Sequence, residues 1–407
     1  MAHFAIIGAG ITGVTTAWAL RQRGFDVTVF DRHRYAAMET SFANGGQLSA
    51  SNAEVWTRYK TILKGLKWMF RSDSPLLLNP MPSWHKYSWL MEFAGNCGNY
   101  EKNTVKTTEL AIQSRHYMDE FAKEAGVSFD RSNCGILHFY KDQAEFDHAH
   151  QVTEMLAKGG LERRRLTPNE VYDIEPAIKS EVLGGYYTDS DFTGDIHKFA
   201  TSLAAACADA GVKFQMNSDV TSYHHDGQGV QLSWTEEGTN HDARFDGVVV
   251  SAGIGSRDIA SALGDRVNVY PVKGYSITVM LNDKQSQEAA PEVSLLDDAA
   301  KIVTSRLGKD RFRVAGTAEI NGVNYDIRHD RVAPLTHWVA TNFPGVSTEH
   351  AVPWAGLRPM MPNMMPHIAK GRQKGVFYNT GHGHLGWTLS CVSAHMIGDL
   401  VLSQHNQ

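Results

Sequence analysis

The chain has 407 residues, of which 42% are hydrophobic and 20% charged, and its net charge is −5. That balance excludes a disordered chain, and the length exceeds one ordinary core, so two intertwined domains are expected. The negative charge and the lack of a long basic run argue against a phosphate-tracking nucleic-acid binder.

No stretch approaches the ~18 apolar residues of a membrane span. Cys97, Cys134, Cys207 and Cys391 are widely scattered with no C-x-x-C pair, so neither a zinc site nor a redox dithiol is expected, and no metal. The apolar N-terminus lacks a basic leader segment and is explained by the motif it contains. A cytoplasmic protein is expected, with peripheral membrane contact left open.

Taken in order, Phe4, Ala5, Ile6 and Ile7 run into Gly8, Gly10 and Gly13. Residues 14–23 alternate at helical spacing, Gly24 stops them, and a short strand 26–30 ends in Asp31. This strand–turn–helix–strand is the dinucleotide fingerprint in its full context. Gly8 permits the tight turn, Gly10 admits a pyrophosphate, Gly13 lets helix and strand pack closely, and Asp31 can accept from a ribose hydroxyl. Residues 37–49 are small, polar and glycine-bearing, as suits backbone lying against a ligand.

Residues 55–95 hold Trp56, Trp68, Met69, Phe70, Trp84, Trp89, Met91 and Phe93. They read as a helical cap or interaction surface, with ordinary core the blander alternative. A long amphipathic helix is predicted over 104–126, strands over 127–130 and 135–140, and helices over 142–158 and from Thr167-Pro168. A helix opens at Thr193-Gly194-Asp195-Ile196-His197, and the apolar run 245–250 ends in Ser251-Ala252-Gly253, as a buried parallel strand meeting a ligand would. Strands follow near 271–278, 301–306 and 311–317. Glycine-rich loops are predicted around Gly356-Leu357-Arg358 and Gly381-His382-Gly383-His384-Leu385-Gly386, before a closing helix 389–402.

The predicted fold is α/β: a discontinuous Rossmann-like unit (1–60, 160–262, 352–407) with an inserted α+β substrate domain (61–159, 263–351) carrying a mostly antiparallel sheet. A second glycine-rich loop and helix at the C-terminal end favour a long extended cofactor, FAD over NAD.

The chain resembles the FAD-dependent amine oxidoreductases of the D-amino-acid oxidase and glycine oxidase type, and within them the bacterial D-amino-acid dehydrogenases. The resemblance covers essentially the whole length. It rests on Gly8-Ala9-Gly10-Ile11-Thr12-Gly13, Glu39-Thr40-Ser41-Phe42-Ala43-Asn44-Gly45-Gly46-Gln47 and Tyr270-Pro271-Val272-Lys273-Gly274-Tyr275-Ser276. Gly356-Leu357-Arg358-Pro359-Met360 and 379–388 complete it. It implies oxidation of a D-amino acid to an imino acid that water hydrolyses, with electrons leaving to a quinone or other non-oxygen acceptor. Where the family shows Pro-Asp-Gly-x-Pro, this chain has Pro362-Asn363-Met364-Met365-Pro366, a change expected to alter that turn and its flavin contacts.

Holding a carboxylate in bidentate fashion is an arginine task. Arg358 is the candidate, and the resemblance assigns the same role to that position. Tyr275 is expected to add a phenol hydroxyl or form a pocket wall, and His382 to assist proton removal. Gly381, Gly383, Leu385, Gly386 and Thr388 are expected near the flavin pyrimidine, with Ser41, Asn44, Gly45 and Gln47 along the flavin. Arg32, Val220, Ala252, Gly253 and Gly356 complete the expected cofactor contacts. No cysteine stands beside Pro362, so FAD is expected to be non-covalent. The competing expectations are an oxidase of glycine, sarcosine or a proline-like amine using oxygen, and an electron-relaying flavin subunit of a hetero-oligomer.

Overall fold

The computed structural model describes residues 1–60, 62, 76–227 and 229–405. Trp68, Met69 and Phe70 of the aromatic segment lie outside these residues.

Two sheets organise the chain. The first has six strands in the order 367–370, 376–380, 247–250, 3–7, 26–30, 213–215, all parallel except the edge strand 367–370. Its four inner strands are almost wholly buried on both faces, as parallel strands are. The helices Ile11–Gln22, Ile196–Asp209 and Ser390–His405 pack one face into a common core with Trp18, Phe199 and Ile397. A three-stranded antiparallel sheet (218–225, 230–236, 239–245) and the short helix Ser256–Ala262 cover the other.

The second sheet has nine strands, in the order 352–360, 270–280, 311–320, 302–307, 294–297, 136–140, 184–188, 164–166, with 76–78 paired to 318–320. It is mostly antiparallel, as predicted. The helix His329–Asn342 seals one face through Leu335, Trp338 and Val339, and Trp89 and Phe93 of Trp84–Gly95 pack near its edge.

Several elements differ from the sequence reading. Residues 127–130 form no strand; only a single bridge pairs Ser132 with Thr193. Val352–Met360, read as a glycine-rich loop, is a strand paired along nine positions with Tyr270–Met280. That strand, 164–166 and 184–188 belong to the second sheet, although ranges 160–262 and 352–407 had been read with the nucleotide unit. The long helix runs Tyr100–Glu124, starting earlier than expected.

Candidate active site

The two sheets meet around one continuous cavity of about 920 Å³. It begins at the fingerprint turn. Gly8 takes φ +106°, and a Cβ there would lie 2.6 Å from the Ser251 carbonyl oxygen. Gly13 does not line the cavity; a Cβ on it would meet the Gly8 carbonyl at 1.8 Å, so its task is close packing. Beside Gly10 a Cβ would meet nothing nearer than Ser41 Oγ at 3.5 Å, which leaves the space a phosphate needs. Asp31 accepts from the Ala9 and His33 amides at 2.7 and 2.9 Å, fixing the turn while lining the cavity. Arg32, also at the wall, pairs with Glu39 at 2.6 Å.

The other residues expected along the cofactor gather here too: Ser41, Asn44, Gly45, Gln47, Val220, Ala252, Gly253, Gly356, Gly381, Gly383, Leu385, Gly386 and Thr388 all line the same cavity. Ser41 Oγ accepts the Ile11 amide, and Thr388 Oγ1 accepts the Ser49 amide, tying the two ends of the cradle to its middle. Gly381 and Gly383 take φ +73° and +60°, a backbone path that carries the loop past the cavity. Gln47 Nε2 donates to the Leu295 and Thr304 carbonyls, which leaves its buried Oε1 without a partner. Ser251 Oγ, Thr317 Oγ1 and His384 Nδ1 are likewise buried, unpartnered and at the wall. Buried polar atoms are nearly always paired, so this set fits a large polar ligand, and a dinucleotide with a ring at its far end suits the cavity's length of wall.

At the far end stands Arg358. Its strand pairs with Tyr270–Met280 so that Val272 faces Arg358 and Gly274 faces Gly356. The guanidinium lies against Gly274, where a Cβ would come within 2.4 Å of Cζ and both terminal nitrogens. Nη1 donates to the Thr317 carbonyl at 3.0 Å. Burial pushes the guanidinium's pKa down to about 10, with no anion among the described residues to offset it. It is a held, forked cation awaiting an anion.

Tyr275 does not share that face. Successive strand side chains alternate, and the Tyr275 ring sits in the second core with its hydroxyl donating to Glu319 at 2.8 Å. Its phenol is therefore committed to Glu319, while Tyr275 itself lines the cavity, as the pocket-wall alternative expected. His382 is buried, 2.9 Å from Ser393 Oγ, and burial lowers its pKa to about 3. A histidine held neutral so firmly is a poor proton acceptor, so the role in proton removal does not fit its environment.

Sequence reading passed over two wall residues. His384, read only as part of a glycine-rich loop, stacks on Trp56 at 4.8 Å, and burial lowers its pKa to about 4. Trp56, read with the aromatic cap, lines the cavity. The histidines on either side of Gly383 were visible, but nothing local said that a tryptophan would stack there. The turn 362–366 does not line the cavity. Met364 takes φ +62° and packs beside Trp89, so the turn survives without its glycine and the expected effect on flavin contacts is not seen. Cys391 is buried in the last helix, its thiol pushed up to about 12, away from the cavity wall. Among the described residues, no cluster of three or more His, Cys, Asp or Glu could hold a metal.

Comparison with known proteins agrees with this construction. Residues 3–400 match the family described as FAD dependent oxidoreductase. The chain belongs to that family. It is 57% identical to D-amino acid dehydrogenase 3 of Mesorhizobium japonicum over 98% of this chain and 97% of that protein. It is 41% identical to D-amino acid dehydrogenase of Paramagnetospirillum magneticum, covering 97% and 94%. In fold it is similar to glycine oxidase from Geobacillus kaustophilus, with a TM-score of 0.77 at 21% identity, over 99% of this chain and 95% of the other. L-proline dehydrogenase from P. horikoshii gives 0.76 at 14%, over 99% and 93%. FAD is thus the cofactor of the family, and the glycine-lined cradle with its unpartnered polar atoms fits it.

Proposed function

We propose that this chain oxidises D-amino acids to imino acids, which water hydrolyses to 2-oxo acids and ammonia. The observation that carries this is Arg358, an uncompensated guanidinium held flat against Gly274 at one end of a cofactor-sized cavity. Bound FAD supplies the acceptor for the hydride that leaves Cα.

The chain's own task is to bind, orient and shield. Arg358 takes the α-carboxylate through two parallel N–H bonds, which fixes the direction of Cα. Gln47 Oε1, immobilised by the two carbonyls that accept from its amide, is placed as an acceptor for an N–H group of the bound partners. The positive charge of Arg358, with both wall histidines held neutral, favours the uncharged amine over the ammonium without a dedicated base. The Trp56–His384 stack closes the wall against water. The names of the 57% and 41% relatives support the choice of D-amino acids.

The test is anaerobic titration of the FAD-loaded protein with D- and L-amino acid panels. D-isomers alone are expected to bleach the oxidised-flavin absorbance, and Arg358→Ala is expected to keep bound flavin while kcat/KM falls by a factor on the order of 10² or more. Bleaching by glycine, sarcosine or proline instead, with peroxide formed in air, would replace the proposal by the oxidase alternative.

Electron delivery to a membrane quinone is supported by an exposed stripe on the helix Trp84–Gly95. Trp84, Tyr87 and Met91 project from one side of it, with Met81 beside them, and amphipathic aromatic rings suit a headgroup boundary. No described helix is long and apolar enough to cross a membrane, and the contact proposed is peripheral. Vesicle co-sedimentation that is unaffected by Trp84→Ser with Tyr87→Ser would remove that part.

A further inference from the structure

Thr317 stands where the strand Arg311–Ile320 departs from regular pairing. On the side of Tyr270–Met280, Lys273 faces Glu319 and Tyr275 faces Gly316, so Gly274 alone is opposed by both Thr317 and Ala318. Two residues against one is a β-bulge, a device that re-aims groups beside active sites. Thr317 takes φ +58° there. Glycine adopts that region freely, whereas a β-branched side chain does so only under strain. Backbone strain of this kind persists where the surroundings impose it, and it concentrates at functional sites.

The strained residue places two polar groups. Its carbonyl accepts Arg358 Nη1 at 3.0 Å, on the side of the guanidinium that lies over Gly274. Its hydroxyl is buried, without a partner, in a residue that is 7% exposed and lines the same cavity. Serving the carbonyl bond alone would need no hydroxyl, and a glycine would do it without strain.

We propose that Thr317 is a substrate-positioning residue: its left-handed bulge aims the carbonyl at Arg358, and its hydroxyl donates to the carboxylate that Arg358 binds. The α-carboxylate is then held by a cationic fork and a neutral donor from the two strands that flank Tyr270–Met280. This rests on the D-amino-acid reading above.

The experiment uses the full-length, FAD-loaded protein with Thr317→Gly, Thr317→Val and Thr317→Ser, and Arg358→Ala as control. The readouts are KM and kcat for the best D-amino acid, the dissociation constant of propionate from its perturbation of flavin absorbance, and Tm. Glycine and valine variants are expected to raise KM and the propionate constant about tenfold, as befits one lost hydrogen bond to a charged group, with a much smaller change in kcat. Serine is expected to restore most of the affinity, and Thr317→Gly to melt at or above the wild-type temperature. Unchanged propionate binding in Thr317→Gly overturns the hydroxyl contact, as does serine failing as badly as valine. A lower Tm for Thr317→Gly overturns the strain. If Arg358→Ala also leaves propionate binding and turnover intact, the carboxylate site itself falls; if only the Thr317 variants are silent, the proposal falls alone.

Discussion

Gly274→Ala isolates the placement of Arg358 from the stability of the fold. The new Cβ would sit 2.4 Å from Cζ, Nη1 and Nη2 together, whereas ordinary contact begins near 3.4 Å, so the guanidinium must lift by about 1 Å. The clash falls on the charged head and not on a freely swinging methylene, and lifting it breaks the 3.0 Å bond to the Thr317 carbonyl. Gly274 lies mid-strand and is not among the residues with positive φ, so alanine fits the backbone and reduces the freedom of the unfolded chain by roughly 0.5–1 kcal/mol. Misplacement of this size costs about 10²-fold in rate. The expected outcome is a yellow, folded protein whose Tm stays close to wild type, the lost bond offsetting the gain from alanine, and whose kcat/KM for D-amino acids falls about 10²-fold, most of it in KM. Stopped-flow flavin reduction and thermal melts measure both quantities on one preparation. A kcat/KM within a factor of about three of wild type, in folded flavin-bound protein, would refute the placement of Arg358 on Gly274.

Tyr275→Phe should lower stability by about 1–2 kcal/mol, because Glu319 loses a buried donor, while KM stays near wild type; a large rise in KM would return the phenol to the substrate. Met364→Gly relieves a positive φ worth about 1–2 kcal/mol but removes a buried side chain worth about 2–5 kcal/mol, so Tm should fall. The depressed pKa of His382 sets a pH dependence. The unfolded chain takes up a proton below about 6.5 while the folded chain resists until about 3, so stability is full above 6.5 and drains as pH falls. By pH 5 this single group costs about 2 kcal/mol. Chemical denaturation at pH 7 and pH 5 should show that loss, and His382→Asn should reduce it; an equal loss in the variant would discount His382.

The nucleotide half of the site was legible because its determinants are local. Gly8, Gly10 and Gly13 shape one turn, and their spacing states its purpose before any tertiary contact exists. Arg358 was legible as an arginine framed by glycine and proline, but its element was misread. Gly356 and the prolines Pro353 and Pro359 carry weak strand propensity, and nine pairings with Tyr270–Met280 override it. Tyr275 was legible as a pocket wall, which it is, but the two-residue period of its strand commits its hydroxyl to Glu319. The apolar run 352–354 gave no hint that Trp354 would fold over Gly356, where a Cβ would come within 2.1 Å of the indole.

By itself the sequence determined the α/β class and the phosphate-facing turn, since each follows from neighbours within one strand, turn or helix, and it offered the residues proposed here for a carboxylate-binding flavin site. Which face each of those residues presents was decided only by tertiary structure. Gly274, Thr317 and Arg358 come from three separate strands, and the register between them, including one bulge, brings a carbonyl, a hydroxyl and a guanidinium to a single point of the wall. Strand register depends on partners far away in the chain, and a slip of one residue would turn every one of those groups to the opposite side.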